Sequence, residues 1–595
     1  MRVQRLILVA LAAIVAGTLT RAQPGRGGSQ WLTAQADAQR TSWIPSDPRI
    51  SVETLSKAGF ELQWKVKLDN PPRGTHGLAQ GVTANGVTLF VPMSIVAGSS
   101  NTVYGLDNDT GYTVWRRQFD LPLPSPTAGC AGGITSAATR IVKLDGSSTA
   151  APPGLSFGRA AMGYRSLLGN PGEGVPVEGR ASAPGRTGDP SAAGRGANPA
   201  AGPAGAARGG APGAAAPPNP SARSGQTVER IPGAPRREEP GGAFGMLFRE
   251  SGVSYVVSSD GMLHVLGLPS GKDVQRPASF LPANSNWSAP IAVGTMLYAA
   301  TTGDCGGTPS AVWAVDLDSE TKPVVSWKTN GGSVVGAIAF ASDGTLVAAV
   351  GPGQTTGGGK ANAIVALDPK TLQLKDWFTQ TNAEFVTGPT ILRRNGKDLV
   401  IAATKDGRVI VMDSASLGGA DHGTPLLASK PFIAAGATVS GDALAAWQQT
   451  NPDAGWILLP VNGRPSAGSP GANGPVSTGA VVALKLTDAA SGPALQTGWV
   501  SHDLFSPATP IIVNGVVFSL GTGTPSTATG KGAPAVLHAY DGATGKPLWN
   551  SAKIMTTYAS PGSFWSAMGQ VYVGSYDGTL HSFGFNDERR YTNAK

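Results

Sequence analysis

The chain has 595 residues, of which 41% are hydrophobic, so it can bury a large core, and no internal run of about 18 apolar residues offers a membrane span. Its net charge of +8 is spread thinly, with only 14% charged residues and no clustered Lys/Arg stripe, which argues against a nucleic-acid partner. Gly 82 and Pro 47 together make up a little over a fifth of the chain, a composition that points to a turn-rich all-β protein carrying one biased insertion.

In chain order, residues 1–22 begin with Arg2 and Arg5, continue through LILVALAAIVAG and end Thr20-Arg21-Ala22. This pattern predicts a secretory signal cleaved near Ala22, and hence a periplasmic or secreted protein; an uncleaved anchor is the alternative. Residues 23–59 form a leader that contains WLTAQADAQRTSW, polar residues between the aromatic anchors Trp31 and Trp43. Residues 60–68, FELQWKVKL, alternate as a strand does but have no partner within a repeat of their own.

One grammar then recurs: an apolar strand, a loop, a second apolar strand, an Asp-containing turn and a terminal Trp. It reads VTLFVPMS then TVYGLDNDTGYTVW in the first unit, and MLYAATT then AVWAVDLDSETKPVVSW in the third. The fourth is LVAAVG then AIVALDPKTLQLKDW, the sixth WILLPVNG then AVVALKLTDAASGPALQTGW, and the seventh VVFSLG then AVLHAYDGATGKPLW. The second unit, SYVVSSDGMLHVLGLPSGKDV, and the fifth, LVIAATKDGRVIVMDSASL, are weaker. The eighth, VYVGSYDGTLHSFGF, stops before any last strand. A ring of sheets commonly lets one terminus complete the final blade, and the strand carrying Trp64 is the missing piece. The expectation is an eight-bladed β-propeller of four-stranded antiparallel blades over residues 60–587, closed by an N-terminal strand, or seven blades if a weak unit is misread. Within it, residues 165–242 are dominated by Gly, Ala, Pro and Arg, too poor in apolar surface to offset ordering entropy, and are expected to be a disordered insertion. Residues 588–595 form a tail.

The Ala/Gly, apolar, Asp, Thr-Gly turn and Trp spacing resembles the tryptophan-docking repeat of the pyrroloquinoline-quinone (PQQ) β-propeller superfamily. The leader looks like the segment that opens many quinoprotein dehydrogenases. The resemblance implies the eight-bladed fold and leaves two functions open. One is an exported binding or scaffolding propeller; the other is a PQQ-dependent quinoprotein oxidoreductase of the alcohol or sugar dehydrogenase type, holding PQQ and a divalent cation, typically calcium.

In each unit, Asp107, Asp316, Asp368 and Asp541 can accept backbone N–H bonds and fix a turn. The tryptophans Trp64, Trp115, Trp327, Trp377, Trp499 and Trp549 supply large apolar area to lock neighbouring blades. Three units close their second-to-third strand turn tightly, at Asp260-Gly261, Asp406-Gly407 and Asp577-Gly578. Five carry longer loops, residues 94–101, 303–310, 351–362, 462–479 and 521–534, which predicts a built-up rim on one face. An unknown small molecule or protein is the expected partner there, with tolerated surface insertions as the alternative. Cys130 and Cys305 can both reach that face and are expected to pair, the alternative being two free thiols. They are far apart in sequence, whereas alcohol-oxidising quinoproteins stack their cofactor under a bridge between adjacent cysteines.

Other chemistry is not supported. No CxxCH is present for a c-type haem. His264, His538 and His581 share an aligned strand position that elsewhere holds Tyr104, Trp313 and Val365, so no metal site is assigned. GPGQTTGGGK lacks the phosphate-loop spacing, and GLSFG follows two prolines where a nucleophile elbow needs a strand. The polar groups left on the loop-rich face are Asp304, Lys405 and Asp406, the weak catalytic candidates; cofactor-binding residues are not assigned.

Overall fold

Short apolar runs cut by Asp-Gly and Asn-Gly turns fold into antiparallel hairpins, and these stack into eight sheets around a channel. The computed structural model describes residues 30–88, 91–127, 130–144, 228–230, 252–303, 305–380, 383–467, 473–489, 492–525 and 532–586. The expected signal (residues 1–22), the tail and all of the insertion but Val228–Arg230 lie outside them, as does Asp304.

Blade 1 runs Val82–Thr88, Val91–Gly98, Thr102–Asp107 and Thr113–Gln118 from the channel outward. Blades 3 to 7 follow the same order, with first strands beginning at Ile291, Val334, Thr390, Ala445 and Ile511, and Ile141–Val142 and Trp43–Ile44 add a short parallel strand inside blades 3 and 7. Blade 2 has a three-stranded sheet, Val253–Val257, Met262–Gly267 and Ala278–Ser279, and borrows its inner edge through an antiparallel bridge from Thr139 to Tyr255. Blade 8 takes Ala559–Ala567, Gln570–Ser575 and Thr579–Phe585 from the end of the chain and Phe60–Lys67 from its beginning. Trp64 lies 5.9 Å from Tyr572, ring to ring, so the N-terminal strand closes an eight-bladed ring. Val228–Arg230 adds one further strand outside Phe60–Lys67.

Central strands are buried on both faces, which is why they read as continuous apolar runs. In Leu346–Val350, Leu346, Ala348 and Val350 pack toward blade 3, while Val347 and Ala349 pack toward blade 5. The core is therefore a ring of clusters, each wedged between neighbouring blades. A larger cluster joins blades 7, 8 and 1 across the closure.

A register shift immediately before the terminal Trp recurs in blades 1, 6, 7 and 8. Such a bulge turns the next side chain to the other face, here toward the following blade. Trp64, Trp115 and Trp499 then donate their indole N–H to the backbone carbonyls of Asn108, Leu268 and Gly542, at 2.9, 2.6 and 2.9 Å. Each ring covers a glycine of the next blade's turn, Gly111, Gly271 or Gly545, all with positive φ. A Cβ on those glycines would meet the indole at 2.3 to 2.5 Å, so no other residue fits. Asp107 and Asp541 hold two of these turns by accepting from the N–H groups two and three residues on.

Trp327, Trp377 and Trp549 are half-buried and find other partners. Trp377 lies between the His422 ring, 3.8 Å away, and the Lys360 ammonium, 4.3 Å away. Trp549 meets the closing strand, whose Phe60 ring stands edge-on at 4.9 Å.

The leader threads the ring. Trp31 N–H donates to Thr83 Oγ1 in blade 1, Arg140 N–H to Leu32 O beside blade 2, and Thr33 Oγ1 to Pro290 O at blade 3. Phe340, Ile391, Ala446 and Ile512 of blades 4 to 7 donate their N–H groups to Ala38, Gln39, Thr41 and Ser42, and Gly569 N–H of blade 8 donates to Asp47 Oδ2. One pass of chain thus hydrogen-bonds all eight blades in ring order. Its curvature places Gln35, Ala36, Arg40 and Ser42 at positive φ. Arg40 is fully buried and donates to the carbonyls of Ile338, Ala34 and Ala289.

Candidate functional site

Antiparallel strands put the second-to-third strand hairpins and the connections between blades on the same end of the ring. Four of the five loops expected to be long are long: residues 302–310, 351–362, 463–478 and 522–535 separate their strands. The fifth is corrected. Val91–Gly98 runs straight through Ser94, leaving a three-residue turn, Ser99-Ser100-Asn101, because Ile95, Val96 and Ala97 are strand residues and fully buried.

Cys130 and Cys305 form a disulfide with Cα atoms 5.6 Å apart, tying the segment after blade 1 to the long loop of blade 3 across blade 2. Arg73 braces the same segment, its guanidinium donating to Ala131 O at 2.9 Å and to Pro124 O. Arg73 and His76 exchange backbone hydrogen bonds, which makes a tight turn between blades 8 and 1 and presents the imidazole of His76.

Asp442 stands in the connection from blade 5 to blade 6, its carbonyl accepting from Gly388 N–H at 2.9 Å. The carboxyl is open to solvent yet ringed by protein. Burial therefore raises its pKa while the facing charge of His76 draws it down, and burial lowers His76 against the pull of Asp442. Asp442 and His76 thus come from junctions three blades apart on the loop-rich end, near enough for their charges to interact. Beside them, Tyr558 and Tyr576 stack at 4.5 Å, and Tyr576 donates its hydroxyl to Gly74 O.

The residues singled out from the sequence sit elsewhere on this end. Lys405 is salt-bridged to Glu384 at 3.1 Å. Burial alone would raise Asp406, but Thr404 and Arg408 hydrogen-bond its carboxylate and hold it low. Asp406 serves its own hairpin and Lys405 ties that hairpin to the connection from blade 4, and no contact joins either to Asp442. His264 lies 2.9 Å from Asp273 and 3.0 Å from the fully buried Ser258 hydroxyl. His581 contacts Ser575 at 3.3 Å, and the His538 ring lies 5.7 Å from that of His502.

His76 and Asp442 escaped the sequence reading because both lie in connections that carry no repeat signal. Asp442 lies three residues before the inner strand that begins at Ala445, a place the repeat does not mark.

Among the described residues no group of three or more His, Cys, Asp and Glu could hold a metal ion. The donor set at the mouth, one carboxyl and one imidazole, does not supply the several oxygens a calcium ion takes. The bridged cysteines lie 175 residues apart. The described acid and base at this end therefore do not by themselves fit the cation of a quinoprotein.

No family model matches the chain, and no curated protein matches it. Solved structures do. Quinohemoprotein alcohol dehydrogenase from Comamonas testosteroni superposes with a TM-score of 0.53 at 15% identity, over 96% of this chain and 82% of that one. A europium-containing methanol dehydrogenase gives 0.51 at 13%, over 94% and 98%. Quinohemoprotein alcohol dehydrogenase ADHIIG from Pseudomonas putida HK5 gives 0.50 at 11%, over 94% and 80%. The shared property is the eight-bladed propeller fold.

Proposed function

We propose that this chain is an exported binding propeller that takes a small molecule or a protein partner at its loop-rich end. The observation that carries this reading is the set of four long loops on one end of the ring, pinned there by a disulfide, where Asp442 and His76 lie near enough for their charges to interact. A hydrogen-bonding acid and base beside an aromatic pair suit recognition of a polar ligand. Export rests on residues 1–22 and on the disulfide. Among the described residues, no helix is long and apolar enough to cross a membrane.

A second reading, a PQQ-dependent oxidoreductase, is favoured by the solvent-open Asp442, a carboxyl held above its ordinary range at the loop-rich end. The cation donors do not support it. The two readings part on one experiment: purified protein is mixed with PQQ and calcium and passed through gel filtration. The binding propeller elutes without quinone absorbance. Retained quinone together with dye reduction by alcohols or sugars would establish the oxidoreductase instead.

A further inference from the structure

Of the three histidines that share an aligned strand position, His264 is held by Asp273 and Ser258, and His581 by Ser575. His538 differs. Neither of its ring nitrogens hydrogen-bonds to a described residue, and its contacts are with two other rings, His502 at 5.7 Å and Tyr540 at 6.0 Å. Strand pairing builds a polar row around it. Ser519, His538 and Asn550 stand directly opposite one another on Val516–Gly521, Val536–Asp541 and Pro547–Asn550 of blade 7, and so share one face of the sheet. Tyr540, two residues on from His538, lies on that face and packs on Trp499 of blade 6 at 5.6 Å, so the row faces the wedge between blades 6 and 7. The connection leaving blade 6 brings His502 into the same wedge. Ser519 is fully buried, His538 half-buried and Asn550 exposed, so the row runs from the core to solvent.

The hydroxyl of Ser519 is buried without a hydrogen-bond partner, an arrangement that costs free energy unless something in the wedge supplies one. His502 is engaged through one nitrogen only. Its Nδ1 lies 3.2 Å from the Tyr540 hydroxyl, whose oxygen also accepts from the His502 N–H at 3.2 Å. That contact orients the ring and leaves Nε2 without a hydrogen bond to a described residue, as in a histidine that binds a metal through one nitrogen and is positioned through the other. Two imidazoles on one tetrahedral ion, bound at about 2.0–2.1 Å, have ring centroids about 5 Å apart. A small side-chain rotation reaches this from the observed 5.7 Å. Burial, and then the neighbouring His502, lower the His538 pKa to about 4, so its ring is neutral at pH 7 and offers a lone pair.

We propose that the wedge between blades 6 and 7 binds one divalent transition cation, of the copper, nickel and zinc class, through His502 and His538. Water fills the remaining positions, and the buried Ser519 hydroxyl is a hydrogen-bond partner for that water. Imidazole donors favour these ions over calcium and magnesium, which take oxygen. The site uses neither Asp442 nor His76, so it stands or falls separately from the proposed function.

Isothermal titration of the full, untagged protein with copper(II), nickel(II), zinc(II) and calcium chlorides tests it, using wild type, His502→Gln, His538→Gln and, as a remote control, His422→Gln. One equivalent of copper binds, nickel and zinc bind more weakly, and calcium does not bind. Each wedge variant weakens copper binding by at least about tenfold, since outer-shell changes at metal sites alone cost that much, and His422→Gln leaves it unchanged. The spin-echo modulation spectrum of copper(II) on the wild type, which counts coordinated imidazoles, shows two. Thermal melts establish which variants fold, and if neither wedge variant does, the wild-type spectrum decides. Absence of copper binding, calcium binding as tight as copper, fewer than two imidazoles in the spectrum, unchanged affinity in a folded wedge variant, or an equal loss in His422→Gln would overturn the proposal.

Discussion

A tryptophan locks two blades here only when the residue it covers has no side chain. Trp499 over Gly545 combines burial of a large ring with an indole hydrogen bond, and both depend on the missing Cβ. Gly545→Ala should cost about 3 kcal/mol, from the unfavourable φ and from displacement of the ring. Gly396 also has positive φ, at +78°, but nothing lies within 4 Å of its Cβ position. Gly396→Ala should therefore cost about 1 kcal/mol, from backbone alone. Thermal melts of the two variants check the difference, and equal losses would show that docking adds nothing. The same logic explains which tryptophans dock. The turn after Asp368 has Leu372 at positive φ where the docking turns have glycine, and Trp327 packs half-buried in that cluster. The docked and undocked cases were not separated from sequence because each Trp is judged by a turn one blade further on.

At the scale of elements, the leader behaves as a ninth structural unit. Its polar residues, read as a spacer between two aromatic anchors, serve a chain that donates and accepts backbone hydrogen bonds around the whole ring. Such contacts leave no periodicity, so the path was not legible even though Trp31 and Trp43 were. Half-buried at its centre and enclosed by the blades, Asp37 accepts from the N–H and hydroxyl of Thr41. Burial pushes its carboxyl up to about 6, against the pull of Thr41 and Arg40. A folded-state pKa above the unfolded value of 3.8 means that protonation favours the folded chain. This contribution is full below about pH 4 and is lost as pH rises through about 6, a change of up to about 3 kcal/mol. Asp37→Asn removes the titration. Relative to wild type, the variant should gain stability between pH 4 and pH 7 in denaturant melts, and a difference that stays constant across that range would contradict the burial argument.

For the whole molecule, the repeat and its closure were legible because every blade solves one problem, burying both faces of a sheet between neighbours, with the same residues in the same order. The missing last strand of blade 8 and the unpartnered Phe60–Lys67 named each other. What the repeats cannot encode is what lies between them, and the acid and base at the mouth come from two such junctions. The disulfide spans one as well. Closing 175 residues, it should contribute up to about 5 kcal/mol in the chain-entropy model. Cys130→Ser with Cys305→Ser should lower the melting temperature while leaving the β-sheet circular dichroism intact; an unchanged melting temperature would mean the bridge pins loops without holding the ring. The account stands most on the charge interaction between Asp442 and His76 at the loop-rich end. Titration of the His76 imidazole by NMR in wild type and in Asp442→Asn measures this directly. Loss of the facing carboxylate should lower the His76 midpoint further, since burial would then act unopposed. A midpoint that does not move would mean that the two junctions do not meet at the mouth.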